Sequence, residues 1–380
     1  MRFFLPIQGA LIILILMACQ GEHQTERAEN FIFLSDSLIN SRTISLLGHP
    51  VNFDTGPVLG YLTDFCHLTD RIYFFEQIVH DDCFGALVDI EDRRVLTKIG
   101  MMGRGPMELT TLFDFHKSED SLYFFDFITN KIVVTSLDGL QDSTARISSD
   151  NSREYYFSSP FSIEMLLLLE DKWIVRNYNF KRPDSAFVEL EPNTMKPRRY
   201  FGNLPDDVTD RNKDPRLRLI GNLTYGAIRP DNEKMVQAYR FRDLIEIYNT
   251  EGELEKSIAG LENHFPELSE SSIRRFDPIP IYGKTWYGYS KVVAGEEGFY
   301  AGYVGKREPT KDMYPDDGLI DDKYSTSSFQ YIDHFNWDGE LLARYELEHQ
   351  IIKFEVDEEK RIIYGRGRGH LDEDIFEFTF

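Results

Sequence analysis

The chain has few features of a metalloenzyme or of a hydrolase. Its nine histidines are scattered, and no H-E-x-x-H or H-x-H pairing occurs, so a zinc site is not supported. A G-x-S-x-G elbow and EF-hand spacing are also absent from the sequence. Catalytic groups of a repeat protein can come from separate repeats, which leaves an enzyme open, although the sequence favours a non-catalytic protein.

Basic charge is scarce. The 380 residues carry a formal net charge of −22, which repels nucleic acid and anionic lipid headgroups, so we expect no nucleic-acid partner. No Pro/Gly-rich low-complexity segment interrupts the sequence, and 42% of the residues are hydrophobic, which indicates a folded protein. The aromatic share of 14% favours strands over helices.

The one strongly apolar run lies at the N-terminus, densest over Ala10–Ala18 after the positive Arg2. It is shorter than the roughly 20 residues of a membrane-spanning helix but suits a secretory signal. The segment Leu16–Cys19 (LMAC) resembles the lipobox of bacterial lipoproteins, in which the cysteine is lipidated. We therefore predict a signal peptide over residues 1–18 and lipidation of Cys19. A plain signal peptide with an incidental cysteine is the alternative.

The residues after Cys19 are polar and predict a tether. We assign residues 19–42 to a lipidated tether that includes a region able to close the fold, and residues 43–380 to the folded domain. Attachment through the lipid predicts a cell-envelope location, in the outer membrane with either a periplasmic or a surface face. The two remaining cysteines, Cys66 and Cys83, fall on strands that flank a third strand, which favours free thiols over a disulfide.

One segment type recurs along the chain: a polar turn, an aromatic or β-branched strand, and a second strand that ends near Asp-Gly or Glu-Gly. Equivalent strand positions are separated by 50, 51, 62, 64 and 63 residues, which gives six copies. These positions are Tyr73, Tyr123, Ile174, Val236, Tyr300 and Ile363.

Each copy supplies about four antiparallel strands, so the sequence predicts an all-β, six-bladed β-propeller with four-stranded blades. The sixth copy is one strand short at the C-terminus. Phe31–Leu34 or Thr43–Leu47 could supply that strand and close the ring. Two β-sandwich domains are the alternative, although no linker divides the chain.

A distinctive turn ends the first copy: Ile99–Glu108 reads IGMMGRGPME. It is similar to the G-x-G-R-G-P-x-E turn of TolB-like six-bladed propeller lipoproteins of Gram-negative bacteria. The match departs from that pattern at Met101 and at Met107, where a glycine is common. The resemblance implies a propeller fold and an envelope location, and it brings no catalytic residue.

Three groups of residues are candidate sites. Arg104 and Glu108 could face a ligand at the channel mouth, or the turn could be purely structural, with the two side chains paired to each other or to backbone. Asp64, Asp114 and Glu164, spaced by 50 residues, occupy the same place in the inner strand of three copies. They could bind Ca²⁺ on the propeller axis, the one cofactor that the sequence suggests, or form a solvated rim.

The third group lies in sequence added to the last three copies, within Asn203–Asn222, Glu262–Tyr289 and Gly305–Ser328. Insertions in repeat proteins usually map to loops on one face, often the binding face. Candidate ligand contacts there are Arg211, Arg274, Trp286 and Tyr289, although Trp286 and Tyr289 could equally belong to a packed inner strand. The sequence favours a binding or scaffold protein for a peptide, a glycan or an envelope protein. A cation-dependent hydrolase or lyase with carboxylates in the channel is the second hypothesis.

Overall fold

A computed structural model gives the architecture. The residues that it describes are 30–53, 61–78, 83–112, 114–118, 120–126, 128–141, 143–156, 166–169, 172–177, 179, 181–182, 184–192, 194–205, 214–272, 279–310, 326, 328–367 and 375–380. They form six sheets, each built from consecutive antiparallel strands, in a ring. This confirms the six-bladed β-propeller and excludes the pair of sandwiches.

Blades 1 to 3 have four strands each. Blade 1 is β4 (Tyr61–His67), β5 (Ile72–Ile78), β6 (Cys83–Asp89) and β7 (Arg94–Met101). Blade 2 is β8 (Asp114–Lys117), β9 (Ser121–Asp126), β10 (Lys131–Ser136) and β11 (Ser152–Tyr156). Blade 3 is β12 (Leu166–Leu169), β13 (Lys172–Arg176), β14 (Ser185–Leu190) and β15 (Pro197–Asn203).

The remaining blades continue the same order. Blade 4 contains β16 (Thr224–Ile228), β17 (Lys234–Tyr239), β18 (Leu244–Asn249) and β19 (Leu254–Ala259). Blade 5 contains β20 (Trp286–Ala294), β21 (Gly298–Arg307), β22 (Phe329–Asn336) and β23 (Leu341–Ile351). Blade 6 contains β24 (Lys353–Asp357), β25 (Ile362–Arg366) and β26 (Ile375–Thr379).

The segment 31–50, here called the strap, runs along the outer strands of blades 4, 5 and 6 in turn. It comprises β1 (Phe31–Phe33), helix α1 (Asp36–Arg42), β2 (Thr43–Leu46) and β3 (Gly48–Pro50). β1 pairs in parallel with β19, and β2 pairs in parallel with β23, so each adds a fifth strand. β3 pairs antiparallel with β26 and completes blade 6.

An N-terminal strand therefore does close the ring, as the sequence predicts. The choice between Phe31–Leu34 and Thr43–Leu47 as the closing strand was wrong, because Gly48–Pro50 fills that position. The two apolar segments bury Leu34 and Leu46 between blades as they pass. Their hydrophobicity reflects that burial, whereas the short closing strand has no comparable apolar pattern.

The core consists of layers between neighbouring blades. One cluster, containing Phe74 and Phe124, fills the interface of blades 1 and 2, and another, containing Tyr73 and Tyr364, joins blades 6 and 1. The Tyr73 and Tyr364 rings meet edge to face with centroids 5.4 Å apart. This arrangement explains the aromatic excess, since both faces of every blade must be covered.

Two features of the described chain complete the fold. Cys66 and Cys83 lie on β4 and β6, on opposite sides of β5, and neither forms a disulfide, as expected. Within the residues that the structure describes, no helix is long and apolar enough to span a membrane.

The two ends of the ring differ in their connections. One end, here called the insertion face, carries the links from the last strand of each blade to the next blade and the turns between second and third strands. The other end, the hairpin face, carries the first-to-second and third-to-fourth turns. The described ends of all three long insertions, after β15, β19 and β21, lie on the insertion face.

Candidate functional site

The first strand of each blade lies nearest the propeller axis. Described residues of β4, β8, β16, β20 and β24 line the axial part of a cavity of about 2170 Å³, which also extends to the hairpin-face turns of blades 2 to 5. This volume exceeds the few hundred Å³ of an ordinary small-molecule site, so a ligand could enter together with solvent. The axial cavity is therefore one of two candidate sites, and the insertion face is the other.

Asp64 of blade 1 sits on the axis between two lysines of other blades. Its Oδ1 atom lies 2.7 Å from Lys291 Nζ of blade 5, and its Oδ2 atom lies 2.8 Å from Lys353 Nζ of blade 6. The Asp64 side chain is 12% exposed, and those of Lys291 and Lys353 are 16% and 35% exposed. Both carboxylate oxygens are thus engaged by ammonium groups.

Irregular strands bring these groups together. The ladder between β4 and β5 shifts register between Leu62 and Asp64, and the ladder between β20 and β21 shifts between Tyr289 and Lys291. Such shifts re-aim side chains and are frequent near functional sites. Lys353 is the first residue of β24.

Charge and burial act in opposite directions on Asp64. Burial raises its pKa, but the two lysine charges and their hydrogen bonds outweigh it and lower the pKa to about 2. The carboxylate is therefore ionised at any physiological pH. Nearby, burial and the Glu355 carboxylate raise the pKa of the Cys66 thiol, which keeps this cysteine protonated and unreactive.

Other polar groups continue around the axis. His67 Nδ1 of blade 1 lies 2.9 Å from Glu355 Oε1 of blade 6. Burial lowers the pKa of His116 on β8 to about 4, so this ring is neutral at pH 7. Lys117, the next residue, also lines the cavity. The sequence analysis did not identify Lys291, Lys353 or Glu355 as site residues. Lys291 and Lys353 are basic residues on the inner strands of copies that lack an acid equivalent to Asp64, and this pattern is visible in the sequence.

The calcium hypothesis stays a prediction. Asp64 and Asp114 lie on the inner strands β4 and β8, as expected, but the Asp114 side chain and all of Glu164 fall outside the described residues. In the part of the chain that is described, no group of three or more His, Cys, Asp or Glu side chains could hold a metal ion. The two lysines on Asp64 occupy the oxygens that a cation would need.

The glycine-rich turn packs against blade 2 and does not line the axial cavity. Glu108 Oε2 accepts a hydrogen bond from the Gly105 N–H at 2.6 Å, and the Met107 N–H donates to Glu154 Oε1 of β11 at 2.7 Å. Met107 adopts φ 58°, a left-handed conformation that favours glycine. These contacts support the structural interpretation for Glu108. Arg104 is exposed on the insertion face.

Trp286 and Tyr289 belong to a packed inner strand, β20. The Trp286 Nε1–H donates to Asp243 Oδ1 at 2.7 Å, and Tyr289 is 2% exposed, with its ring 5.3 Å from that of Tyr303. The Tyr303 hydroxyl also donates to Asp243 Oδ1, at 3.2 Å. Trp286 therefore links blade 5 to blade 4, and Tyr289 lies in the apolar layer between these blades, where it offers a ligand almost no surface.

The described parts of the insertions pack on one another on the insertion face. Helix α2 (Pro215–Gly221), in the first insertion, packs Leu217 and Ile220 against Phe265 and Leu268 of the second. Asp214 caps the start of α2 by accepting from the Arg216 N–H at 2.9 Å. Arg211 and Arg274, the two predicted ligand contacts of these insertions, lie outside the described residues.

The third insertion joins the same layer. Arg307 Nη2 lies 2.5 Å from Glu262 Oε1 of the second insertion, and the Gly283 N–H donates to the Glu308 carbonyl at 2.9 Å. The Arg307 guanidinium also stacks 5.5 Å from the Trp286 ring centroid. The described parts of the three insertions therefore form one structural unit above blades 4 and 5.

Exposed apolar side chains mark the same face. Among the described residues, eleven large hydrophobic side chains are exposed, and six of them lie at the insertion face. These six are Met101, Met102, Ile128, Tyr156, Leu261 and Tyr282. Of the other five, Leu342 lies on β23 and the remaining four lie on the strap: Phe31, Phe33, Ile44 and Leu47. The hairpin-face turns contribute none of the eleven.

Comparison with solved structures agrees with this fold. A member of the DUF4221 family from Bacteroides vulgatus is 12% identical, with a TM-score of 0.51, and the match covers 88% of this chain and 95% of that one. A protein described as a putative exported protein from Bacteroides fragilis is 11% identical, with a TM-score of 0.52, and the match covers 92% and 98% of the two chains. At these identities the likeness shows the fold alone.

No protein with a curated description matches the chain. The model of the TolB-like 6-blade propeller-like family, however, matches residues 69–359. That span includes most of the six blades together with the glycine-rich turn. The chain therefore belongs to the TolB-like six-bladed propeller family.

Proposed function

We propose that this protein is a non-catalytic binding or scaffold lipoprotein of the bacterial envelope. Its insertion face holds a peptide, a glycan or a partner protein. The observation that carries the proposal is the packing of the described parts of the three insertions on one another, through Leu217, Phe265 and the Arg307–Glu262 ion pair. A rigid scaffold that carries a distinct loop layer on one face is the usual design of a binding protein.

The distribution of exposed apolar surface supports the same face. Six of the eleven exposed large hydrophobic side chains among the described residues lie there, including Leu261 at 67% and Tyr282 at 51%. Leu261 and Tyr282 lie beside the insertions at blades 4 and 5, whereas the other four lie at blades 1 and 2. Exposed apolar side chains beside a loop layer are typical of an interaction site. An acidic chain gains specificity from such contacts, because its charge repels most non-specific anionic partners.

The envelope location is supported by two observations. The LMAC segment that ends at Cys19 resembles a lipobox. The structural relative from Bacteroides fragilis carries the description of an exported protein. Replacing Cys19 with serine should move the protein from the membrane to the soluble fraction and abolish incorporation of labelled palmitate. Membrane attachment that survives this change would contradict the lipid anchor.

Binding is tested with matched apolar-to-serine variants. The mature chain is immobilised and exposed to envelope extract, to a glycan array and to a peptide library. The double variant Leu261→Ser/Tyr282→Ser alters the insertion face, and Ile44→Ser/Leu47→Ser alters the strap region. We expect a bound component that the first variant loses and the second retains. Equal retention by both variants would exclude the insertion face as the binding surface.

A further inference from the structure

The strap begins with two exposed aromatic rings. On β1, Phe31 and Phe33 are 46% and 49% exposed, whereas Ile32 between them packs against the apolar cluster of blades 4 and 5. Side chains alternate along a strand, so both phenyl rings lie on the side of β1 that faces away from that cluster. Two large rings on one side of a three-residue strand form an apolar surface, here called the phenylalanine pair.

The phenylalanine pair lies at the outer edge of the propeller. Among the described strands of blade 4, β1 is the outermost, and it pairs with β19. Edge strands of soluble proteins often carry charged residues or proline, which discourage contact with other surfaces. Residues 30–35 and the paired stretch Ser257–Ala259 contain neither, although 28% of the chain is charged. This edge therefore suits contact with an apolar surface.

The position of the phenylalanine pair in the chain indicates which surface it meets. Ten residues, 20–29, separate Cys19 from Asn30. A chain of this length spans at most about 40 Å. Ala28 is the one residue among the ten with a hydrophobic side chain, so the tether offers little apolar cover for two rings. A lipid on Cys19 would hold the pair close to the membrane, where docking is intramolecular and a weak contact suffices.

A membrane interface suits these rings chemically. Phenylalanine side chains enter the boundary between headgroups and acyl chains, where they leave water without losing a hydrogen bond. The net charge of −22 repels anionic headgroups, which favours a contact made by uncharged residues with lipid of no net charge. A second copy of the chain is the competing partner, but that contact would bring two strongly acidic molecules together.

We infer that the phenylalanine pair docks on the membrane that holds the lipid anchor, so that the outer edge of blade 4 lies against the bilayer. This inference rests on the proposed lipidation of Cys19. The strands of a blade run between the insertion face and the hairpin face, so contact at the outer edge leaves both faces uncovered. The insertion face then stays accessible to the ligand of the proposed function.

The test uses the lipidated full chain in phosphatidylcholine vesicles whose brominated acyl chains quench tryptophan on contact. Phe33→Trp places a reporter in the phenylalanine pair. Met101→Trp places one at a residue 51% exposed on β7 of blade 1, on the opposite side of the ring. After subtraction of the wild-type emission, bromine should remove at least about half of the emission that Phe33→Trp adds, because the ring lies at the acyl boundary. It should remove little of that added by Met101→Trp.

A second readout uses Arg27, the one tryptic site of the tether. Docking keeps this site close to the bilayer. Phe31→Ser/Phe33→Ser should therefore speed release of the propeller from the vesicles by trypsin at least about threefold, since cleavage follows the undocked population. The matched variant Met101→Ser/Met102→Ser, on the opposite side of the ring, should leave the release rate unchanged.

The outcomes separate the anchor from the docking. A chain that does not float with the vesicles overturns the lipid anchor and the docking together. A chain that floats but shows equal quenching of the two reporters, or equal release of the two serine variants, keeps the anchor and overturns the docking. A dimer of the Cys19→Ser chain that Phe31→Ser/Phe33→Ser dissociates would assign the phenylalanine pair to a second copy and would also overturn the inference.

Discussion

At the scale of single residues, the contacts of Asp64 carry the most information. A carboxylate on an inner strand serves equally well as a metal ligand, as a solvated rim or as a partner for cations. The contacts with Lys291 and Lys353 show that Asp64 is a partner for cationic side chains. Because these lysines come from blades 5 and 6, Asp64 also links blade 1 to the blades on the closing side of the ring.

Asp64→Asn should destabilise the protein by about 2–4 kcal/mol near neutral pH, because it removes the carboxylate that the partly buried Lys291 and Lys353 both contact. Urea unfolding of both proteins measures this difference. The control Asp338→Asn changes an acid whose side chain is 81% exposed and should have little effect. A difference below about 0.5 kcal/mol for Asp64→Asn would mean that the lysines find other compensation.

The effect of Asp64 also depends on pH. Its pKa is about 2 in the folded protein against an ordinary value of 3.8, so its contribution is complete above pH 3.8 and is lost as the pH falls through 2. That shift corresponds to about 2 kcal/mol. The difference in unfolding free energy between wild type and Asp64→Asn should therefore shrink between pH 5 and pH 2. A difference in unfolding free energy that stays constant over this range would show that the lysines do not lower the pKa of Asp64.

At the scale of elements, the strap and helix α2 each depend on a few buried contacts. Strap residue Leu46 is 6% exposed and packs between blades 5 and 6, whereas its neighbour Leu47 is 69% exposed. Alternation of this kind is what an outer strand needs when one side faces a core. The parallel pairing of β1 and β2 has no local signal of its own, since it depends on outer strands that lie more than 200 residues away.

Leu46→Ala should cost about 2–4 kcal/mol through lost burial and a residual cavity, and Leu47→Ala should cost less than about 0.5 kcal/mol. The pair is matched in chemistry and differs by one position, so chemical denaturation of the two variants isolates burial. Similar costs for both would indicate that the strap is held by backbone pairing and that its side chains contribute little.

Helix α2 is held from blade 3. The buried Arg176 guanidinium donates to the Leu219 carbonyl at 3.1 Å and to Thr224 Oγ1 at 3.1 Å, close to the C-terminal end of the helix. Its charge is also favourable there, where helix carbonyls are unpaired. Arg176 thereby fixes the first insertion on the blade beneath it.

Arg176→Met should destabilise the protein by about 2–3 kcal/mol, because buried acceptors lose their donor, and it should speed amide exchange in residues 215–222. Arg94→Met is the matched control, since the Arg94 side chain is 58% exposed and its ion pair with Asp92, 51% exposed, lies at the surface. Unchanged exchange in α2 would show that the Leu217–Phe265 contact holds the helix by itself.

At the scale of the whole molecule, contacts at the outer edge and on the axis both close the ring. The outer closure is the pairing of β3 with β26, and the inner closure is the contact of Asp64 with Lys291 and Lys353. Between them, the Tyr73–Tyr364 pair fills the interface of blades 6 and 1. A ring closed in this way leaves no open end for further strand pairing.

Removing residues 1–50 takes away β1, β2 and β3 and exposes the outer edges of blades 4, 5 and 6. Unpaired edges recruit other strands, so this truncation should lower the unfolding temperature and form oligomers, detectable by size-exclusion chromatography. Removing residues 1–29 leaves the strap intact and serves as the control. A monomeric and equally stable product of the longer truncation would contradict the closing role of the strap.

The sequence by itself determined the fold class, because hairpin signals and strand patterns are local and repeat six times between Tyr73 and Ile363. It also determined the family, through the glycine-rich turn. It predicted closure by an N-terminal strand but not which strand, since Gly48–Pro50 is too short and polar to stand out. It did not determine the site residues, because Trp286 and Tyr289, which it suggested as ligand contacts, pack at the interface of blades 4 and 5.

Only the tertiary structure decided which side chains meet on the axis. Asp64 and Lys291 are 227 positions apart and become neighbours because two blades face one channel. A shift of one residue in either inner strand would turn these side chains to other faces, and such shifts arise from the packing of complete sheets. No local pattern encodes them, which is why an acid spaced for a cation site lies between two lysines.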